Sequence, residues 1–259
     1  MAFRLVPDFR PFLAAATAAA ALLAAAPLRA DTPQPQKAEI EKIVHDYLIA
    51  NPEVIREAID ELERREKVAE ADSRSRAVDK TADKLFNSAA QAVIGNPSGD
   101  VTLVEFFDYN CGYCKRALDD LAKLVDGDPK LRVVLKDFPV LGQGSTEAAE
   151  IATALRLQLK PEKFYAFHRK LLGTRGPIGK AQALAVAKEL GADAARLEKD
   201  AKSDETRAAL RESAELADSL NLSGTPSWVL GKEVIVGAVG FQQLKSKIDN
   251  TRKCGKSVC

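Results

Sequence analysis

Apolar residues change their spacing twice along this chain. Between Lys37 and Lys84 there is no glycine and one proline, and 23 of the 50 residues from 37 to 86 are charged. Within that charged background Ile40, Ile43, Val44, Tyr47 and Leu48 recur at helical spacing and form one apolar stripe. Asn51-Pro52-Glu53 then reads as an N-cap, a first-turn proline and a first-turn acid, so a second helix starts there. Its apolar face is Val54, Ile55, Ala58, Ile59 and Leu62, thinning afterwards to Val68, Val78, Leu85 and Phe86. A charged helix with so narrow a stripe needs a surface to bury it on. That surface is either its own domain or another copy of the chain. The second reading is adopted, because the helices precede a unit that supplies core elements of its own.

That unit begins near residue 91. Val93-Ile94 leads into the turn-rich Gly95–Asp100, and Val101–Phe107 is an apolar, β-branched and aromatic run of the kind found in buried strands. Cys111–Val125 reads as a helix and Leu131–Leu135 as another buried strand, together a parallel βαβ unit. Residues 145–220 carry almost only helical patterns, with breaks at Gly176 and Gly191. The chain then returns to strand texture at Ser227–Leu230 and Val234–Val236, joined at Gly231-Lys232 as a hairpin, and Phe241–Ile248 closes with a helix. The order is βαβ, a helical insert, ββ and α.

The first thirty residues have a different purpose. Arg4 and Arg10 precede an alanine-rich apolar run over residues 11–26, and Leu28-Arg29-Ala30 offers a small residue for cleavage. The run is shorter than the ~20 residues a spanning helix needs. It reads as an export signal cut after Ala30, followed by an extended linker over residues 31–36. Export places the rest of the chain in an oxidising compartment, where a disulfide persists.

Composition narrows the chemistry. The 259 residues are 46% hydrophobic and 29% charged, enough to bury a core. Lys+Arg is 38 against Asp+Glu 37, which argues against a nucleic-acid binder or a polybasic membrane anchor. The only histidines are His45 and His168, read as ordinary helix-surface residues, so no histidine metal centre is expected.

Of the four cysteines, Cys111 and Cys114 frame Gly112-Tyr113 at the junction of a buried strand and a helix. The unpaired N–H groups and dipole of a helix N-terminus favour a thiolate at Cys111, the attacking species. Cys114, one turn on, would resolve a mixed disulfide formed there. Half a zinc site and a purely structural bridge are the alternatives. Cys254 and Cys259, in a polar tail over residues 253–259, most simply form a small disulfide loop; soft-metal binding is the other reading.

The stretch Val104–Lys115 closely resembles the active-site segment of periplasmic DsbA-family proteins. The resemblance covers about residues 90–251. It implies an α/β, thioredoxin-like fold with a helical insertion at about 145–220, in a domain of residues 91–252, preceded by an α-helical N-terminal oligomerisation arm over residues 31–90. It also implies a cis-proline at Pro226 in Gly224-Thr225-Pro226, with Thr225, Pro226, Gly112 and Tyr113 facing substrate. Glu105 and Lys136 fall in otherwise apolar strands and are candidates for burial as a pair. By resemblance they lie beneath the dithiol as a proton relay for Cys114.

Two features depart from DsbA. Gly-Tyr stands where DsbA has Pro-His, and Thr precedes the cis-proline where DsbA has Val. Both resemble the oligomeric isomerase DsbC, and Tyr47–Ala58 resembles the oligomerising arm of the ScsC group. The resemblance implies a periplasmic thiol–disulfide oxidoreductase, isomerase or reductase rather than oxidase, acting on misfolded or disulfide-bonded exported proteins. It also implies a homo-oligomer held by the stripes Ile40/Ile43/Val44/Tyr47/Leu48 and Val54/Ile55/Ile59/Leu62, kept reduced by a DsbD-type membrane reductase, with no cofactor, metal or nucleic acid. A DsbA-type oxidase, a copper-handling thiol protein and a chaperone built on the arm are the rival readings.

Overall fold

The structure is a computed structural model that describes residues 34–259. The export signal assigned to residues 1–30 lies outside the described residues. The chain divides into two compact units, one ending at Ile59 and the other Asp60–Cys259.

The first unit holds α1 (Gln34–Ala50) and the opening turns of α2 (Glu53–Asn87). Residues 34–36, read from sequence as extended linker, are helical. A proline in the first turn is tolerated because its missing N–H would have had no partner there. Asn51 corrects a second expectation. Its side-chain amide donates to the Tyr47 carbonyl at 2.9 Å and so closes α1, while its own carbonyl accepts from Val54 N–H at 3.2 Å. Ile40, Ile43, Val44, Tyr47, Ile55 and Ile59 are exposed, and Leu48 and Val54 are half-buried. Among the described residues of this unit, most of the stripe is left exposed.

The second unit is built on a five-stranded sheet of order β1-β3-β2-β4-β5, comprising β1 (Ala92–Gly95), β2 (Val101–Phe107), β3 (Leu131–Asp137), β4 (Ser227–Leu230) and β5 (Glu233–Val236). Strands β2 and β3 are parallel and joined through α3 (Gly112–Gly127); the other pairs are antiparallel. The helical insert comprises α4 (Gln143–Leu155), α5 (Pro161–Leu172), α6 (Lys180–Glu189), α7 (Ala194–Asp200) and α8 (Asp204–Ser219), and α9 (Phe241–Cys254) ends the fold. This is the thioredoxin-like α/β arrangement with a helical insertion that the resemblance implies.

Both faces of the sheet are covered, which is why the central strands read as continuous apolar runs. One face carries Leu103, Phe107, Val133, Leu135 and Trp228 against α3, α4, α5 and α9. The other carries Val104, Phe106, Val134 and Val229 against Leu216 of α8, Leu220 just after it, and Val78 and Leu85 of α2. Val78 and Leu85 were assigned to the thinning end of an arm that closes at residue 90. They are 2% and 0% exposed, in the core. The second half of α2 therefore belongs with the sheet, because its apolar residues share with those at the end of α8 the task of covering that face. Among the described residues no helix is long and apolar enough to cross a membrane.

Candidate active site

β2 delivers the chain to a tight turn before α3. Asp108, at the turn, accepts from the backbone N–H of Asn110 at 2.8 Å, of Val140 at 2.8 Å and of Leu141 at 3.0 Å. Asn110 ties the same turn to the helical insert. Its side-chain amide donates to the Ile178 carbonyl at 2.8 Å and the Ser145 hydroxyl at 3.0 Å, and its oxygen accepts from Ile178 N–H at 2.7 Å. Gly144 makes that approach possible: a β-carbon there would meet the Ile178 carbonyl at 2.8 Å. Lys115 adds a third tie, its amine donating to the Thr174 carbonyl at 2.8 Å.

These ties fix Cys111 as the N-cap residue of α3. Its sulfur accepts from Cys114 N–H at 3.4 Å, where the orphan donors of the helix favour a negative charge. Across a groove, the Cys111 thiol donates to the carbonyl of Thr225 at 3.1 Å. The Thr225–Pro226 bond is cis. The two cysteines are free and differ in access: Cys111 is 5% exposed and Cys114 is 0%. Burial pushes the Cys114 thiol far up from its ordinary value, and the nearby Glu105 charge adds to the effect. Gly112 and Tyr113 stand exposed at the rim, and the Arg116 guanidinium lies over the Tyr113 ring, 4.1 Å from its centroid. A groove of about 410 Å³ is lined by Tyr113, Arg116, Thr225 and Pro226 among others, and Cys111 touches one of these residues through its hydrogen bond to the Thr225 carbonyl.

Glu105 and Lys136 are both buried, but they are not a pair. In the β2–β3 register Glu105 stands opposite Leu135, and Lys136 opposite Phe106. Successive strand residues alternate faces, so the two side chains are on opposite sides of the sheet. Glu105 shares the face of Cys114. Its Oε2 has no hydrogen-bond partner among the described residues, and burial pushes its carboxyl up to about 8. The Lys136 amine points the other way, donating to the Lys84 carbonyl at 2.8 Å and to Glu212 at 3.3 Å. Burial lowers its value from the ordinary one. Lys136 is thereby excluded from a relay to Cys114.

Sequence reasoning missed His168. It is fully buried, not on the surface, and burial lowers it to about 3, so it is neutral. Its ring meets Phe107 edge-on at 4.7 Å, and its Nδ1 is 3.5 Å from the Tyr109 hydroxyl. The available signal was its spacing, since His168 shares the helical stripe of Phe164 and Leu171. His45 is exposed beside Asp46.

Cys254 and Cys259 are joined in a disulfide remote from the dithiol. Arg252, beside that loop, binds Asp100 at 2.8 Å and Asp128 at 2.9 Å. Those carboxylates stand at the start of β2 and beyond the end of α3, roughly 24 Å along the 16-residue α3 from Cys111.

Comparison with known proteins places this geometry. The family profile described as DSBA-like thioredoxin domain matches residues 102–249, and that of the copper resistance protein ScsC N-terminal domain matches residues 36–69. A thioredoxin-like oxidoreductase from Silicibacter pomeroyi is 43% identical, with a TM-score of 0.63, over 66% of this chain and 98% of its own. The thiol-disulfide exchange protein alpha-DsbA2 from Wolbachia pipientis is 28% identical, with a TM-score of 0.65, over 70% and 97%. A linker-deletion mutant of ScsC from Proteus mirabilis is 27% identical, with a TM-score of 0.64, over 87% and 99%. Among curated proteins, Na(+)/H(+) antiporter NhaA 1 of Salinispora arenicola is 26% identical over 161 residues. That stretch is 60% of this chain, which spans only 24% of the antiporter.

Proposed function

The chain belongs to the family of DSBA-like thioredoxin domains, and from that membership we propose that it is an exported thiol–disulfide oxidoreductase that isomerises or reduces disulfides in client proteins. The observation that carries the reading is the position of Cys111. It caps α3, receives the Cys114 N–H, and donates to the carbonyl of Thr225, which with Pro226 lines the adjacent groove.

The reaction is a two-step exchange. The Cys111 thiolate attacks one sulfur of a client disulfide, a mixed disulfide forms, and the other client sulfur leaves as a thiolate and takes up a proton. In isomerisation that released thiolate, or another on the client, attacks the mixed disulfide and frees Cys111 again. In reduction Cys114 loses its proton and attacks the Cys111 sulfur, the Cys111–client bond breaks, and the second client sulfur leaves as a thiolate that takes up a proton; the dithiol is oxidised and two electrons pass to the client. Glu105, buried on the face of Cys114 and protonatable near neutral pH, is the group we assign to receive the Cys114 proton. Tyr113 and Gly112 border the incoming client.

Three features support isomerase or reductase over oxidase. No imidazole lies between the cysteines to stabilise the reduced thiolate. Thr, not Val, precedes Pro226. The described residues of the first unit present an exposed apolar stripe suited to joining copies of the chain, so that several dithiols surround one client. Such a protein works in the periplasm and has to be returned to the dithiol form, the task assigned to a DsbD-type membrane reductase. The test is a paired assay of the full mature chain, following oxidation of a reduced substrate and recovery of a scrambled one. Recovery of the scrambled substrate should be the faster activity and should vanish with Cys111→Ala. Faster oxidation would establish a DsbA-type oxidase instead.

A further inference from the structure

The groove beside Cys111 carries charges that the exchange chemistry does not use. Arg116 and Asp120 both line it, four residues apart on α3, a spacing at which a helix often forms an ion pair. Here Arg116 is turned onto the Tyr113 ring instead, and neither side chain joins an ion pair among the described residues. Stacking on an aromatic face holds a guanidinium in place without neutralising it. The result is a fixed, solvent-facing cation in the groove that also contains Thr225, whose carbonyl is 3.1 Å from the Cys111 sulfur. Asp120 places an anion one turn further along the same wall.

We propose that this groove selects client segments whose disulfide-bonded cysteine has acidic immediate neighbours, and that Arg116 sets the preference. The inference rests on the exchange reaction proposed above. A client cysteine must come within bonding distance of the Cys111 sulfur, so its flanking residues run between the Tyr113–Arg116 wall and the Thr225–Pro226 wall. A carboxylate next to the client cysteine is attracted by the unneutralised guanidinium; an ammonium there is repelled. Asp120 opposes an acidic residue further out. The groove therefore favours an acid close to the cysteine and not an acidic segment as a whole.

Three symmetric peptide disulfides test this, each a cysteine flanked on both sides by Glu, Gln or Lys. The readout is the rate of reduction by the reduced full mature chain, normalised to the reduction of the same peptide by dithiothreitol. The Glu peptide should be reduced faster than the Lys peptide by roughly threefold to tenfold at low ionic strength, the scale of one exposed charge pair, with Gln between. Raising the salt should shrink the ratio towards one, because the Debye length falls below the separation. Arg116→Glu should abolish or reverse the ratio, and Arg116→Gln should bring it near one. Lys199→Glu on α7 makes the same change in net charge as Arg116→Glu and should leave the ratio as in the parent. Equal normalised rates for the three peptides, or a ratio that survives Arg116→Glu, would overturn charge selection while leaving the exchange reaction standing. No reduction of any peptide would overturn both.

Discussion

Cys114 has to lose its proton in an environment that strongly disfavours a thiolate. It is fully buried, and among the described residues Glu105 is the buried acid on its face of the sheet whose charge bears on its titration. Glu105→Gln keeps the shape and removes the acceptor. The release of a mixed disulfide by Cys114 should slow by roughly tenfold or more, within the range for loss of a general base, while the first attack by Cys111 is little changed. Stopped-flow reduction of a small disulfide separates the two phases; equal slowing of both would remove Glu105 from the relay. Asn110 acts differently, by holding the turn that makes Cys111 an N-cap. Asn110→Ala leaves the Ile178 carbonyl and N–H without that partner. It should slow alkylation of Cys111 and lower the dithiol's selectivity for Cys111 over Cys114, and a differential alkylation profile unchanged from the parent would show the clamp to be dispensable. At this scale the dithiol was readable because two cysteines three apart at a strand–helix junction are distinctive in sequence. The Glu105–Lys136 pairing was not readable: in strands apolar on both faces nothing marks which side a residue takes, and that depends on a register set by the β2–β3 ladder. His168 was hidden for a related reason, since a polar residue on an apolar stripe reads as surface until its neighbours are known.

The elements of the domain were legible nearly to the residue. Val101–Phe107 is the strand its composition indicates, and the insert is helical with interruptions at Gly176 and Gly191, where its pattern breaks. Edge strand β1 was not recognised, because four residues of β texture beside a turn carry too little pattern. The largest misreading was α2. Its charge pattern continues without interruption from Glu53 to Asn87, so the sequence offers no mark where a solvated helix becomes a core helix. The distinction governs how the arm should be removed. A chain lacking residues 34–59 keeps Val78 and Leu85 and should be a folded monomer that still reduces a small disulfide through Cys111. It should lose most of its recovery of scrambled substrates. Light scattering on both forms checks this, and a truncated chain with the parent's mass in solution would end the assignment of the stripe to self-association. A chain truncated to residue 90 should fail to fold stably, because it loses both buried α2 residues, each worth about 2–5 kcal/mol as a core aliphatic.

At the scale of the whole molecule, buried ionisable groups set opposing slopes in stability against pH. The folded-state value of His168 is depressed from 6.5 to about 3. Between those values the unfolded chain binds the proton and the folded chain does not, so stability falls as the pH drops through that window. The folded-state value of Glu105 is raised from 4.5 to about 8, so there the folded chain holds the proton and stability falls as the pH climbs. Asp137, raised from 3.8 to about 7, adds to the same alkaline slope. Denaturation midpoints measured across pH should therefore show Glu105→Gln flattening the slope between about 4.5 and 8 and leaving the acid side as in the parent; an unchanged alkaline slope would mean that Glu105 ionises freely in the folded protein. The fold class was accessible from sequence because the Val104–Lys115 segment carries a family resemblance and the order of elements agrees with it. The proposed association of copies rests on an exposed apolar stripe. What joins these levels is the claim that Cys111, set at the N-terminus of α3 beside Thr225, is the sulfur that attacks client disulfides. The most direct measurement is trapping: the reduced Cys114→Ser chain is mixed with a scrambled, fully disulfide-bonded client, quenched in acid, and the cross-linked species is mapped by mass spectrometry. A mixed disulfide between the client and Cys111 is the predicted result, absent from the Cys111→Ser, Cys114→Ser double variant. No trapped client, or a client captured as readily by Cys114 when Cys111 is replaced, would contradict it.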